Sequence, residues 1–196
     1  MPDILLAAVD PGKNGAVAFE TAPGSATFRA VAMPGTLRGL ADLFDDWKAQ
    51  NAAQGVSVLI EQVGGYMQGN AAPSAVVFGR HLGNLESTLV TLKIPFDWIL
   101  PARWIHWLIG KPEYSPLPAL PPKTKPLSED YKRIQKERKK INAQRKRERK
   151  KKILERVQQK HPEIKMTLAN ADAVGILMYA QSSRPTLGLE SISEKP

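Results

Sequence analysis

"LLAAVDPGKNGAVAFE", residues 5–20, is the stretch on which the fold turns. An apolar run of strand type ends on an acid, Asp10. Pro11, Gly12, Asn14 and Gly15 then form a tight turn, and a second apolar run begins, so the stretch reads as a β-hairpin. A carboxylate at the end of a buried strand is costly unless it is paired or holds a cation. What surrounds it in the sequence indicates what Asp10 holds.

Working outward, "ATFRAVAM", 26–33, alternates and predicts a third strand beside the hairpin. Leu37, Leu40, Leu43, Phe44 and Trp47 recur at helical spacing over 36–50, with Thr36 as N-cap. "VSVLIE", 56–61, predicts a fourth strand that again ends on an acid, Glu61. Residues 70–92 predict a long buried helix in which Gly79 and Gly83, one turn apart, allow close packing. "IPFDWIL", 94–100, predicts a fifth strand, followed by a short helix in "PARWIHWLIG". Residues 167–181 form a mostly apolar helix carrying one acid, Asp172. The expected fold class is α/β: a mixed five-stranded sheet with helices on both faces, and no internal repeat.

Between the fifth strand and the last helix the composition changes. Residues 111–127 are rich in proline and read as a linker or extended arm. Residues 128–161 read as a very basic helix, and "QRKRERKKK", 144–152, contains no apolar residue that could face a core. Residues 111–165 hold 19 Lys and Arg against 7 Asp and Glu, whereas the whole chain has 28 against 19. All of the excess positive charge therefore lies in one segment, which points to a polyanionic partner such as nucleic acid. The expected division is a core of 1–110 and 153–196 with an inserted arm of 111–152.

The composition also excludes chemistries. The chain has 196 residues, 42% hydrophobic and 24% charged, and no cysteine, so disulfides, thiolate zinc sites and a cysteine nucleophile are ruled out. No apolar run reaches the length of a membrane span, and the acid at Asp3 argues against a signal peptide. The expectation is a cytoplasmic protein with no membrane partner. "VGGYMQGN", 63–70, is not a dinucleotide fingerprint and no phosphate-binding P-loop occurs, so no nucleotide cofactor is expected. His81, His106 and His161 have no mutual metal spacing.

Asp10, Glu61 and Asp172 are each a lone acid at the end of, or inside, an apolar element. Taken singly, each is more simply a turn, edge or cap residue. Together they fit one arrangement: strands one and four as central neighbours, with the last helix crossing their ends. Clustered carboxylates stay ionised only if cations neutralise them. Oxygen ligands without Cys or paired His select Mg²⁺, with Mn²⁺ able to substitute. Two such ions can activate a water and stabilise the leaving oxygen of a phosphodiester.

At these residues the sequence resembles a family. "AVDPGKNGAVAF", "LIEQVGGYMQGNAAPSAVVFGRHLGNLES" and "ANADAVGILMYA" resemble the three blocks of the RuvC-type Holliday junction resolvases, of the RNase H-like superfamily, including phage and organellar members. The resemblance covers residues 3–110 and 165–182 and implies an RNase H-like core. It implies a homodimer that cuts opposed strands of a four-way DNA junction, in a bacterial or phage-infected cell or an organelle. It makes Asp10, Glu61 and Asp172 the catalytic, metal-binding acids, with Asp10 bridging the ions. The family usually has a further Asp or His three residues before the last Asp, and here that position is Ala169. Asn170, the nearest polar residue, is the candidate replacement, although two residues before Asp172 it points roughly 200° around a helix from it.

The same resemblance sends the segment after the Glu61 strand into the junction centre. Tyr66 and Met67 could stack on or wedge between open bases there, with Gln68 beside them. Packing over the core is the equal alternative for that aromatic. Arg80 and Arg103 are further DNA-contact candidates. Trp98, Trp104 and Trp107 around Arg103 are more simply a core seam. Lys139, Arg145, Lys146, Arg147 and Lys150 represent the basic segment, read as phosphate contacts rather than as a solvated tract. Two other functions remain open at this level, a flap- or bubble-cutting DNA or RNA nuclease of the same fold and a junction-binding protein without activity. An actin-like ATPase or sugar kinase, which also opens on an Asp-Pro-Gly hairpin, needs a second phosphate-binding hairpin and a longer chain, and the sequence has neither.

Overall fold

The computed structural model describes residues 4–63 and 72–183. Five strands form one sheet: β1 (Ile4–Asp10), β2 (Ala16–Glu20), β3 (Phe28–Ala32), β4 (Gly55–Glu61) and β5 (Phe96–Ile99), in the order β3-β2-β1-β4-β5. The hairpin and the third strand are antiparallel, and β4 and β5 join in parallel. Helices α1 (Leu37–Gln50) and α2 (Ala72–Thr91) cover one face, and α3 (Pro101–Ile109), α4 (Glu129–Lys160) and α5 (Ala171–Ser182) lie on the other. The sheet is thus the mixed, two-faced one that the sequence predicts.

Strand parity sorts the side chains between these layers. Leu5, Ala7 and Val9 of β1 pack with Val58 and Ile60 of β4 beneath α1 and α2. Leu6 and Ala8, with Leu59, pack beneath α5. Asp10 and Glu61 continue the second set, so both acids belong to the α5 face. Val9 pairs with Ile60 in the parallel β1–β4 ladder, which places the two acids level at neighbouring strand ends. A further acid, Glu20, is buried for a structural reason. Its carboxylate accepts the Leu6 amide at 2.8 Å and the Gln181 side-chain amide at 2.7 Å, tying β1 and β2 to the end of α5.

Local signals explain the helix starts. The Thr36 hydroxyl accepts the Gly39 amide, the Ser128 hydroxyl accepts the Tyr131 amide, and Pro101 opens α3. Helix α2 departs from the expected burial. Among its described side chains only Leu85, Thr88 and Leu89 are buried, Val76 and Val77 are exposed, and nothing lies within 4 Å of a Cβ built at Gly79 or Gly83. Small and apolar residues at helical spacing do not distinguish a face packed within the chain from one left open, and here the first half of α2 is open. The three tryptophans do not form one seam either: Trp104 packs under α5, Trp98 on the opposite face of the sheet, and Trp107 is exposed edge-on to Tyr179.

Helix α4 runs unbroken for 32 residues, through the boundary expected at 152/153. Its C-terminal part is anchored in the core by Ile153 and Val157. The Pro-rich segment lies along its N-terminal part. The Pro118 carbonyl accepts Arg138 at 2.9 Å, and the Tyr114 ring stacks on the Arg145 guanidinium at 4.7 Å. Among the described residues no helix is long and apolar enough to cross a membrane.

Candidate active site

Three separate elements deliver the acids. Asp10 and Glu61 end β1 and β4, and Asp172 sits in the first turn of α5. An acid there faces the positive end of the helix dipole. The loop before α5 is fixed by Gln158 of α4, whose side chain bonds the Ile164 carbonyl at 2.9 Å and the Met166 amide at 3.0 Å. The hairpin turn fits tightly against Asp10. A Cβ at Gly15 would stand 1.9 Å from the Asp10 carbonyl oxygen, so the turn closes only with glycine at that position.

The electrostatics report crowded negative charge. Asp10 is pushed up to about 7, first by burial and then by repulsion from Asp172 and Glu61, with Lys150 and Lys146 opposing. Burial also raises Glu61, against the hydrogen bond from Trp104. Lys150 reaches in from α4 and its ammonium donates to Asp172 at 2.7 Å. Burial works to lower the Lys150 pKa, but the bond to Asp172 and the nearby acids outweigh it and hold the pKa above the usual lysine value. The Trp104 indole, buried under α5, donates to Glu61 at 2.9 Å.

Glu61 and Asp172 are thus each engaged by a donor of their own, Trp104 and Lys150, and among the described residues no three His, Cys, Asp or Glu side chains converge closely enough to clasp an ion. The donor chemistry nonetheless fits a hard divalent cation. Three carboxylates supply only oxygen, two of them are raised first by burial and then by neighbouring acids, and a cation, Lys150, already stands against the third. Asn170 is committed elsewhere: its side-chain oxygen accepts the Thr167 amide at 2.8 Å and the Thr167 hydroxyl at 3.1 Å. Ala169 is exposed.

The structure distributes the DNA-contact candidates unevenly. Lys139, Lys146 and Arg147 are exposed on α4, and Arg80 and Arg103 are exposed on α2 and α3. Arg145 is turned into the Pro-rich arm, where Tyr114 and the Ser115 carbonyl engage it. Lys150 is directed at Asp172. Tyr66, Met67 and Gln68 lie outside the described residues. Sequence reasoning did not assign Trp104 its bond to Glu61. The available signal was an indole N–H in an apolar helix, a donor that needs an acceptor when buried.

Thermus thermophilus RuvC shares this architecture over 92% of the present chain and 96% of its own, with a TM-score of 0.52 and 15% identity. The same organism's RuvC in complex with Holliday junction substrate matches over 93% and 96%, with a TM-score of 0.51 and 11% identity. The chain has a RuvC-type fold. No family model and no curated protein sequence matches it. Within this RuvC-type frame, Asp10, Glu61 and Asp172 stand where two central strand ends meet a crossing helix.

Gly175 sets how closely that helix approaches. A Cβ there would meet Trp104 Cζ3 at 2.9 Å and Leu108 Cδ2 at 3.1 Å. Trp104 is only 1% exposed and has little room to move. Gly175→Ala is therefore expected to lower stability by about 1–2 kcal/mol despite the better helix propensity of alanine. It should also shift the indole away from Glu61. Thermal unfolding with tryptophan fluorescence checks this, and an unchanged midpoint and spectrum would show slack between α3 and α5.

Proposed function

We propose that this protein is a metal-dependent endonuclease that cuts four-way DNA junctions by paired nicks. The observation that carries the reading is the placing of Asp10 and Glu61 at the ends of adjacent strands beside Asp172 in the first turn of α5, on a fold whose neighbour has been solved with a Holliday junction. Asp10, Glu61 and Asp172 would hold Mg²⁺, or Mn²⁺ in its place. When bound, the metal would supply Lewis acidity that activates a water and stabilises the leaving oxygen of the phosphodiester. The chain's own groups set up that chemistry. Trp104 orients Glu61, and the α5 first turn holds Asp172 toward the strand ends. Lys150 offsets negative charge until its contact with Asp172 is exchanged. No side chain is required as a covalent nucleophile.

A homodimer suits this reading, because a two-fold protein matches a two-fold junction. The open face of α2, with exposed Val76 and Val77 beside Gly79 and Gly83, is available for pairing. A second reading rests on the Lys150–Asp172 bond and the exposed Ala169: a protein that binds junctions without cutting them.

A synthetic four-way junction, with duplex, flap and bubble controls, distinguishes these. Symmetric paired nicks in the junction, present with Mg²⁺ or Mn²⁺ and lost in EDTA, are the expected result. Equal cutting of flaps or bubbles would shift the substrate to branched nucleic acid at large. Tight binding with no cutting in either metal would favour the second reading.

A further inference from the structure

The charge on α4 is sorted by face. At about 100° per residue, Lys136, Lys139, Lys140, Lys146, Arg147 and Lys150 fall within a sector of roughly 120°. The acids Asp130, Glu137, Glu148 and Glu155 fall on a separate line, within roughly 20° of one another, and Glu129, the first residue of the helix, falls in the cationic sector and pairs there with Lys132. A third line, carrying Ile134, Arg138, Ile141 and Arg145, is the less exposed one, and the Pro-rich arm bonds to it at Arg138 and Arg145. A helix that was merely solvated would interleave its signs in pairs one turn apart. Between Lys136 and Lys150, among the described residues, only Lys150 of the cationic sector forms an ion pair, and its partner is Asp172; the pairs that α4 makes within itself, Lys132–Glu129, Arg133–Asp130 and Lys151–Glu155, lie before and after that stretch.

We propose that this cationic face of α4 is the docking surface for one duplex arm of a DNA junction, leading the arm's phosphates up to the carboxylates. The proposal rests on the nuclease reading above and adds which surface carries the arm and how much duplex it spans. From Lys136 to Lys150 the helix rises about 21 Å, the length of about 6 base pairs of B-form DNA. The face ends at the candidate active site, because Lys150 belongs to both. It carries no large apolar side chain, so it lacks the anchor that a membrane surface or an apolar protein groove would need. The Pro-rich arm acts as a strut. A proline-rich extended chain is stiff, and laid along the opposite side of α4 it holds the projecting half of the helix straight.

The test is binding of the full chain in EDTA, by fluorescence anisotropy, to four-way junctions with arms of decreasing length. The variant Lys136→Ala, Lys139→Ala, Lys140→Ala, Arg147→Ala removes four charges from the face. A control removes four from elsewhere on α4: Arg133→Ala, Lys151→Ala, Lys152→Ala, Arg156→Ala. The face variant is expected to reduce the slope of log affinity against log salt by about 3–4. The control should stay near the wild type, and lysine-to-arginine exchange on the face should retain binding. Wild-type affinity should fall once arms drop below about 6 base pairs, and the face variant should lose that length dependence. Circular dichroism verifies that α4 remains helical in each variant. Equal losses in face variant and control would overturn the docking face and leave the nuclease reading standing. Tighter binding of RNA duplex arms through the same lysines would overturn the assignment to DNA. Failure of the wild type to bind any junction or duplex at low salt would overturn both readings. A salt-slope change confined to the face variant, in a protein that never cuts, would support the docking face and remove the nuclease.

Discussion

Asp10→Asn is expected to abolish junction cleavage, keep junction binding, and raise the stability of the metal-free protein above pH 7. The first two effects follow if Asp10 is a metal ligand, because an amide does not neutralise the cation, whereas the acceptor-only carboxylate it replaces makes no phosphate contact that could be lost. The third follows from the pKa. Asp10 is raised from 3.8 to about 7, so the native state holds its proton after the unfolded state has released it. Below about pH 4 both states are protonated and the group contributes nothing. As pH rises toward 7 the unfolded state is favoured progressively, and above 7 the full cost remains. That cost is on the order of 3 kcal/mol, and Asn is free of it at every pH. Thermal unfolding without metal should show the variant's midpoint above the wild type's by roughly 6–12 °C at pH 8, with the two converging at pH 4. Adding Mg²⁺ should stabilise the wild type and not the variant. Parallel wild-type and variant stability across the range would show that neither burial nor the neighbouring acids raise the Asp10 carboxyl as the structure implies. Retained cleavage in the variant would remove Asp10 from the chemistry.

Gly15→Ala is expected to be the most damaging small substitution in the hairpin. The new Cβ would stand 1.9 Å from the Asp10 carbonyl oxygen, which is backbone and cannot rotate away. Gly15 also accepts the Met33 amide through its carbonyl at 3.0 Å, so the turn cannot shift outward without loosening β3. The expected loss is about 3 kcal/mol or more, from strain together with a broken sheet contact. Differential scanning calorimetry should record a midpoint lowered by roughly 6–12 °C. Cleavage should fall well beyond the loss of folded protein, because Asp10 is displaced. A stable variant with wild-type cleavage would show that the turn can relax without moving the acid.

Much of the site was legible in the chain itself. Asp10, Glu61 and Asp172 stood out because each interrupts an apolar run, and the parity of two parallel strands then dictates that the first two acids share a face. The hairpin, the capped α1 and the change at residue 111 to a Pro-rich and then basic composition were legible for similar reasons: turn chemistry, 3.6-residue periodicity and composition are local properties. Local pattern also misled. The apolar and small residues of α2 read as buried, yet Val76, Val77, Gly79 and Gly83 face outward.

What the tertiary structure alone decided are the partnerships across elements. The indole of Trp104 meets Glu61 across 43 residues, and the ammonium of Lys150 meets Asp172 across 22. Neither pairing is written in spacing, because both depend on how α3 and α4 pack against α5. The need for glycine at 175 has the same origin: it exists only because an indole lies against that turn of α5. By itself, then, the sequence determined which residue types stand at the strand ends and where the cations are concentrated. Packing decided which cation reaches the acids, since distances between remote side chains are set by the whole core and not by any one segment.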